Sequence, residues 1–187
     1  MKKLLFVICL VVIFTSIASA QVSKPFSVYA GGGLTLLQGD YGDYYKNGYH
    51  GMGAAGFSLA PMFQLMGKLE YHTLPVDAAA ITNDVTIIMY GAGFKFAPTL
   101  PGAPIKPFGI VGGGMATLKT DASFDLGDFG TVDLGTVSSN EFYYEFGAGL
   151  ELKASPGLSF FVMARYVTIA NEFADFKYIP ITVGLKF

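Results

Sequence analysis

The chain ends in Tyr178-Ile-Pro-Ile-Thr-Val-Gly-Leu-Lys-Phe187, and no other stretch restricts its fold so tightly. Ile179, Ile181, Val183, Leu185 and Phe187 alternate with Tyr178, Pro180, Thr182, Gly184 and Lys186. A two-residue period builds a strand with one wholly apolar face and one small or polar face. Such a strand cannot leave its edges unpaired, least of all in lipid, where no water replaces a missing partner. It is therefore expected to close against other strands of the same chain.

Those strands can be read upstream. Alternation recurs over residues 26–36, 49–59, 63–73, 86–96, 107–118, 142–153, 158–168 and 178–187. Each segment is near the length that a tilted strand needs to cross a bilayer. Connections after the first, third, fifth and seventh segments are long; those after the second and sixth are tight, Ala60-Pro61-Met62 and Ala154-Ser155-Pro156-Gly157, and that after the fourth, Ala97 to Lys106, is intermediate. Long loops at one end and short turns at the other predict a single all-β domain. The expected fold is an eight-stranded antiparallel up-and-down transmembrane β-barrel with both termini periplasmic.

The N-terminus agrees with export. Lys2 and Lys3 precede an apolar run from Leu4 to Phe14, and Ala18-Ser19-Ala20 offers a small-x-small cleavage site. Residues 1–20 read as a cleaved signal peptide and 21–187 as the barrel. The one cysteine, Cys9, falls inside the apolar run, so a disulfide, a thiolate metal site and a lipid-modified cysteine at the cleavage point are all set aside. Without Lys2 and Lys3, ten basic residues face fourteen acids, so nucleic acid is not an expected partner. Only 14% of residues are charged, which is sparse for a surface in water.

Alternation alone also suits a soluble barrel whose apolar face turns inward. Two features favour lipid. The polar face is mostly Gly, Ala, Met and Tyr, too bare for a wet surface. The apolar face sorts its aromatics, with Phe26, Phe63, Phe96, Phe108, Phe160 and Phe187 at the turn end and Tyr49, Tyr71 and Tyr166 toward the loops. Two aromatic belts are what two membrane interfaces select.

The export signal, the glycine-rich strands YAGGGLTL, YGAGFKF, PFGIVGGGMATL and YEFGAGLELK, and the terminal Phe187 together resemble the small eight-stranded outer-membrane barrels of the OmpA/OmpX kind. The resemblance covers essentially the whole mature chain. It implies the outer membrane as location, and for Ile179 to Phe187, with Ile181, Val183, Leu185 and Phe187 on the apolar face, the role of a signal read by the barrel-assembly machinery. Its members span scaffolds, adhesins, apolar-solute conduits and a few lipid-modifying enzymes, so it leaves activity open.

Chemistry must then be sought in the lumen and loops. Pairing Leu59 with Phe63 sets Ala54 beside Lys68 and Met52 beside Glu70; pairing Lys153 with Gly157 sets Glu145 opposite Arg165. Lys68, Glu70, Glu145 and Arg165 are therefore expected as a lumen salt-bridge network, since an isolated buried charge costs several kcal/mol. A structural plug is favoured over a gated polar path, because an eight-stranded interior is only wide enough for side chains to fill it. Lys95, Glu151, Lys153 and Lys186 share the lumen phase but are expected in water at the periplasmic mouth.

His50 and His72 should face each other at the outer rim, exposed to water. With only Asp77 as a third ligand, they make no metal site, and no cofactor is expected. Ser58 sits far from either histidine, so no catalytic triad forms, and Gly31–Gly33 and Gly112–Gly114 lie within strands and cradle no phosphate. The loops are acidic. Asp121, Asp125, Asp128 and Asp133 occupy the stretch 119–141, which could extend strands five and six as a hairpin above the membrane. Expected partners are outer-membrane lipids and lipopolysaccharide, the assembly machinery, and a surface ligand at these loops. The expected function is that of a non-catalytic structural or surface-interaction protein. Lumen-phased Ile87, Met89, Phe161 and Met163 motivate the alternative, a narrow conduit for small apolar solutes.

Overall fold

The structure, a computed structural model, describes residues 25–38, 47–75, 85–98, 102–125, 131–171 and 175–187. Of the side chains, those of 121–125, 131–134 and 136 are not described. The stretch read as a signal peptide, residues 1–20, lies outside the described residues.

Eight antiparallel strands pair in chain order and close on themselves: β1 (Phe26–Gln38), β2 (Gly48–Ala60), β3 (Phe63–Leu74), β4 (Val85–Phe96), β5 (Ile105–Asp125), β6 (Thr131–Ser155), β7 (Leu158–Ala170) and β8 (Phe176–Lys186). The terminal stretch makes the seam. β8 pairs with β7 on one side and β1 on the other, from Tyr29↔Lys186 to Gln38↔Lys177. Past the last strand residue, Val28 and Phe187 exchange backbone N–H···O bonds of 3.1 and 2.9 Å. Closure leaves no edge along the wall, which is what lets strands cross lipid. No described helix is long and apolar enough to cross a membrane.

The wall is apolar outside. Phe26, Val28, Leu69, Phe94, Phe146, Leu150 and Val183 are among its exposed side chains. At the turn end Phe26 packs on Phe57 and Phe63 on Phe96, each with ring centroids 5.2 Å apart. Tyr49 and Tyr71 stand exposed toward the loops. Cross-strand aromatic pairs at one interface and tyrosines near the other match the depth sorting expected of a membrane wall.

β5 and β6 are the longest strands. β5 pairs with β4 only as far as Val85↔Thr120, yet its pairing with β6 continues to Asp125↔Thr131. Residues 121–125 and 131–136 thus pair as a two-stranded ribbon beyond the barrel wall.

Phe108, expected in the outer aromatic belt, lies on the other face, because β5 has the opposite phase. Phe108 and Ile110 are buried in the lumen and Val111 is exposed, because Ile110 pairs with lumen-facing Lys95 and Val111 with outward Phe94. Phe108 therefore belongs to the interior and not to the aromatic belt. The β6–β7 register is also two residues away from the expected one: Gly147 faces Arg165, Gly149 faces Met163, and Glu145 faces Val167. Gly157 belongs to the turn and not to the strand. Its φ of 97° is the left-handed conformation that a Pro-Gly turn places on its glycine, and an irregularity between Lys153 and Ser155 adjusts the ladder. A shift of two keeps every side chain on its face, so the lumen set is unchanged.

Candidate functional site in the lumen

The inward side chains form four layers. Nearest the turn end, Lys95 is ion-paired with Glu151, and Lys186 Nζ lies 3.0 Å from the other oxygen of that carboxylate. Lys95 also donates to Tyr29 Oη at 3.2 Å, sits 4.1 Å from the centroid of the Phe108 ring, and Tyr29 in turn donates to Gln64 Oε1 at 2.6 Å. Lys95 and Glu151 are 3% and 5% exposed. They are not solvated at the mouth as expected, since Phe108, turned inward by the phase of β5, helps cover them. Lys153 is exposed.

Above lies an apolar layer of Met52, Met66, Phe108, Ile110, Phe161 and Met163. A cavity of about 10 Å³ remains among these residues and the adjoining charges, at the lower limit for a single water. Glycines make room for the bulky members: a Cβ on Gly31 would come within 3.1 Å of the Phe161 ring.

The third layer is ionic. Arg165 reaches Glu70 with both terminal nitrogens, Nη2 to Oε2 at 2.9 Å, and donates from Nη1 to Glu145 Oε2 at 2.9 Å. Lys68 donates to Glu70 Oε1 at 3.0 Å and is paired with Glu145. Two cations and two carboxylates balance, and the Arg165, Glu70 and Glu145 side chains show no exposure. All four residues expected as a network meet here. Glu145 and Arg165 meet diagonally, two residues off the direct cross-strand pair.

The histidines extend this layer. His50 and His72 do face each other, 4.9 Å apart and stacked, but they are 5% and 0% exposed and not at a wet rim. The strands rise past them to an apolar cap, which removes them from water. Bond directions follow from the carboxylate, which can only accept. His72 Nε2–H donates to Glu70 Oε2 at 3.1 Å, and with one proton per ring its Nδ1 accepts from the Thr35 hydroxyl at 3.0 Å. Thr35 Oγ1 then accepts from His50 Nδ1–H at 3.1 Å, and His50 Nε2 accepts from Thr182 at 2.8 Å. The chain runs in one direction and needs the two rings in opposite tautomers. Thr35→Val cuts it in the middle and leaves a buried N–H without an acceptor. The expected loss is about 1–3 kcal/mol, read from unfolding midpoints in urea.

The fourth layer caps the loop side with Leu74, Ile87, Met89, Tyr143, Ile169 and Tyr178, each with no exposed surface. A Cβ on Gly114 would come within 3.0 Å of the Tyr143 ring, so the cap too rests on a glycine floor. No group of three metal-ligating residues occurs among the described residues, and Asp77, the third ligand considered for the histidines, lies outside them.

Thr35, Tyr29 and Gln64 escaped the sequence reading. Thr35 had a signal: it is the polar residue between Leu34 and Leu36, which share the outward phase.

The profile of a family described as "Outer membrane protein beta-barrel domain" matches residues 7–187. The chain is an outer membrane β-barrel. Among solved structures, the outer membrane barrel is similar to Neisserial surface protein A (NspA), at 17% identity and a TM-score of 0.60, over 87% of this chain and 96% of that one. It is also similar to Ail, the attachment invasion locus protein of Yersinia pestis, at 16% identity and TM-score 0.53, over 87% and 97%. A major outer membrane protein from Thermus thermophilus follows at 12% identity and TM-score 0.50, over 88% and 99%. At such identities these likenesses speak to the barrel fold. No curated protein sequence matches the chain.

Proposed function

We propose that this outer membrane barrel is a non-catalytic structural or surface-interaction protein whose lumen is sealed by its own side chains. One observation supports the reading above all others: the balanced Lys68–Glu70–Glu145–Arg165 cluster is buried at mid-lumen with an apolar layer on each side. A solute would have to displace both apolar layers and part four paired charges, and each unpaired ion costs several kcal/mol. The same filling argues against the conduit, since Ile87, Met89, Phe161 and Met163 are packed into layers instead of lining a path.

Interaction then falls to the loop end, where the backbone of the β5–β6 ribbon stands beyond the wall for a surface ligand. Ile181, Val183, Leu185 and Phe187, outward on the seam, are the residues through which the assembly machinery would read the chain. The test of sealing is liposome swelling. Proteoliposomes should swell in a small sugar no faster than empty liposomes; fast swelling with folded protein would overturn the sealed lumen.

A further inference from the structure

The turn end holds a charge imbalance that the lumen does not use. Glu151 is the sole acidic side chain among the described residues there, and it already holds Lys95 and Lys186. Lys106 and Lys153 stand nearby, exposed. With Glu151, Ser58, Ser159, Lys186 and Phe187, these two lysines line a recess of about 290 Å³ at the mouth.

On the outer wall of the same strands runs a groove of about 610 Å³, lined by Leu150, Leu152, Phe160, Val162, Val183 and Leu185. The backbone at Phe161 and Gly184 forms part of its floor. The ladder fixes how close the two features are. Ser159 pairs with both Lys153 and Lys186, and the next residue, Phe160, pairs with both Leu152 and Leu185. Basic recess and apolar groove are one rung apart across the rim, at the depth of the Phe26–Phe57 and Phe63–Phe96 pairs.

We propose that this end binds one anionic phospholipid of the adjoining leaflet, an acyl chain lying in the groove and the phosphodiester turned over the rim onto Lys106 and Lys153. Charge complementarity selects the occupant. Long lysine stems carry their ammonium groups to the headgroup level, and each attracts anionic lipid. A free phosphate would account for the lysines but leave the groove unused. A second copy docked by two-fold symmetry would bring basic rims toward each other.

The experiment is native mass spectrometry of the folded full barrel released from vesicles of equal phosphatidylglycerol and phosphatidylcholine. The wild-type protein should carry one phosphatidylglycerol, enriched roughly tenfold over phosphatidylcholine. The Lys106→Gln/Lys153→Gln variant, altered only at exposed side chains, should show no enrichment. Val183→Trp, which fills the groove with both lysines intact, should lose the bound lipid. Excess inorganic phosphate should leave the wild-type complex in place. Equal retention of the two lipids by wild type would overturn the proposal, as would enrichment surviving in the lysine variant. Lipid retained in full by Val183→Trp, phosphate displacing the lipid, or a lipid-free dimer would each overturn it too.

Discussion

Arg165→Ala should lower the unfolding free energy by about 3–5 kcal/mol. Arg165 is 1% exposed and is the group that joins the two carboxylates, holding Glu70 through both terminal nitrogens and Glu145 through one. Truncation leaves Glu70 and Glu145 sharing Lys68 alone, two negative charges against one positive, between apolar layers that admit little water. The loss is therefore the cost of a stranded buried charge and not the worth of one hydrogen bond. Urea unfolding in lipid vesicles measures it, as a shifted midpoint at unchanged slope. Adding Glu145→Gln should recover part of the loss by restoring balance between Lys68 and Glu70. A negligible effect of Arg165→Ala would mean that the cluster does not hold the centre of the barrel.

Glu151→Ala should cost about 3 kcal/mol, the lower part of the range for breaking a buried pair. It strands Lys95, which is 3% exposed. Two things soften the loss. Lys95 keeps the Phe108 ring at 4.1 Å and the Tyr29 ring at 4.9 Å, and cation–π contact offsets part of a lost partner. It also lies one layer from the mouth, whereas Arg165 has apolar layers both above and below. The ordering of the two variants, Arg165→Ala the more damaging in the same urea titration, is itself an expected result. Equal or reversed costs would contradict the assignment of Lys95 to the outermost layer.

The strands were legible because a wall between lipid and a packed lumen imposes a two-residue period on almost every strand. The β2–β3 register was legible too: Met52 faces Glu70 and Ala54 faces Lys68 as expected, although Phe63 pairs with Ala60 across an irregularity and not with Leu59. β5 was not, because both of its faces are apolar or glycine. Apolar weight places Phe108 in lipid, and only pairing with β4 settles the phase. The lumen's apolar layers are thus the reason that hydrophobicity misleads at this strand.

The central charges were legible for a simple reason. Lys68, Glu70, Glu145 and Arg165 sit in the middle of strands, where water is absent and pairing is compulsory. Glu151, Lys95, His50 and His72 lie nearer strand ends, where sequence distance from a turn does not measure distance from water. Burial there depends on what other strands place above and below, such as Phe108 over Lys95 and the apolar cap over the histidines. That information is three-dimensional and no single strand carries it.

The central claim, a lumen closed by its own side chains, is tested most directly by single-channel recording on the wild-type protein in a planar bilayer. After insertion, verified by altered gel mobility of the unheated protein, the membrane should show no conductance steps above the bare bilayer. Reproducible steps from most inserted, folded molecules would contradict the account, because ions could then pass the layer held by Arg165, Glu70, Glu145 and Lys68.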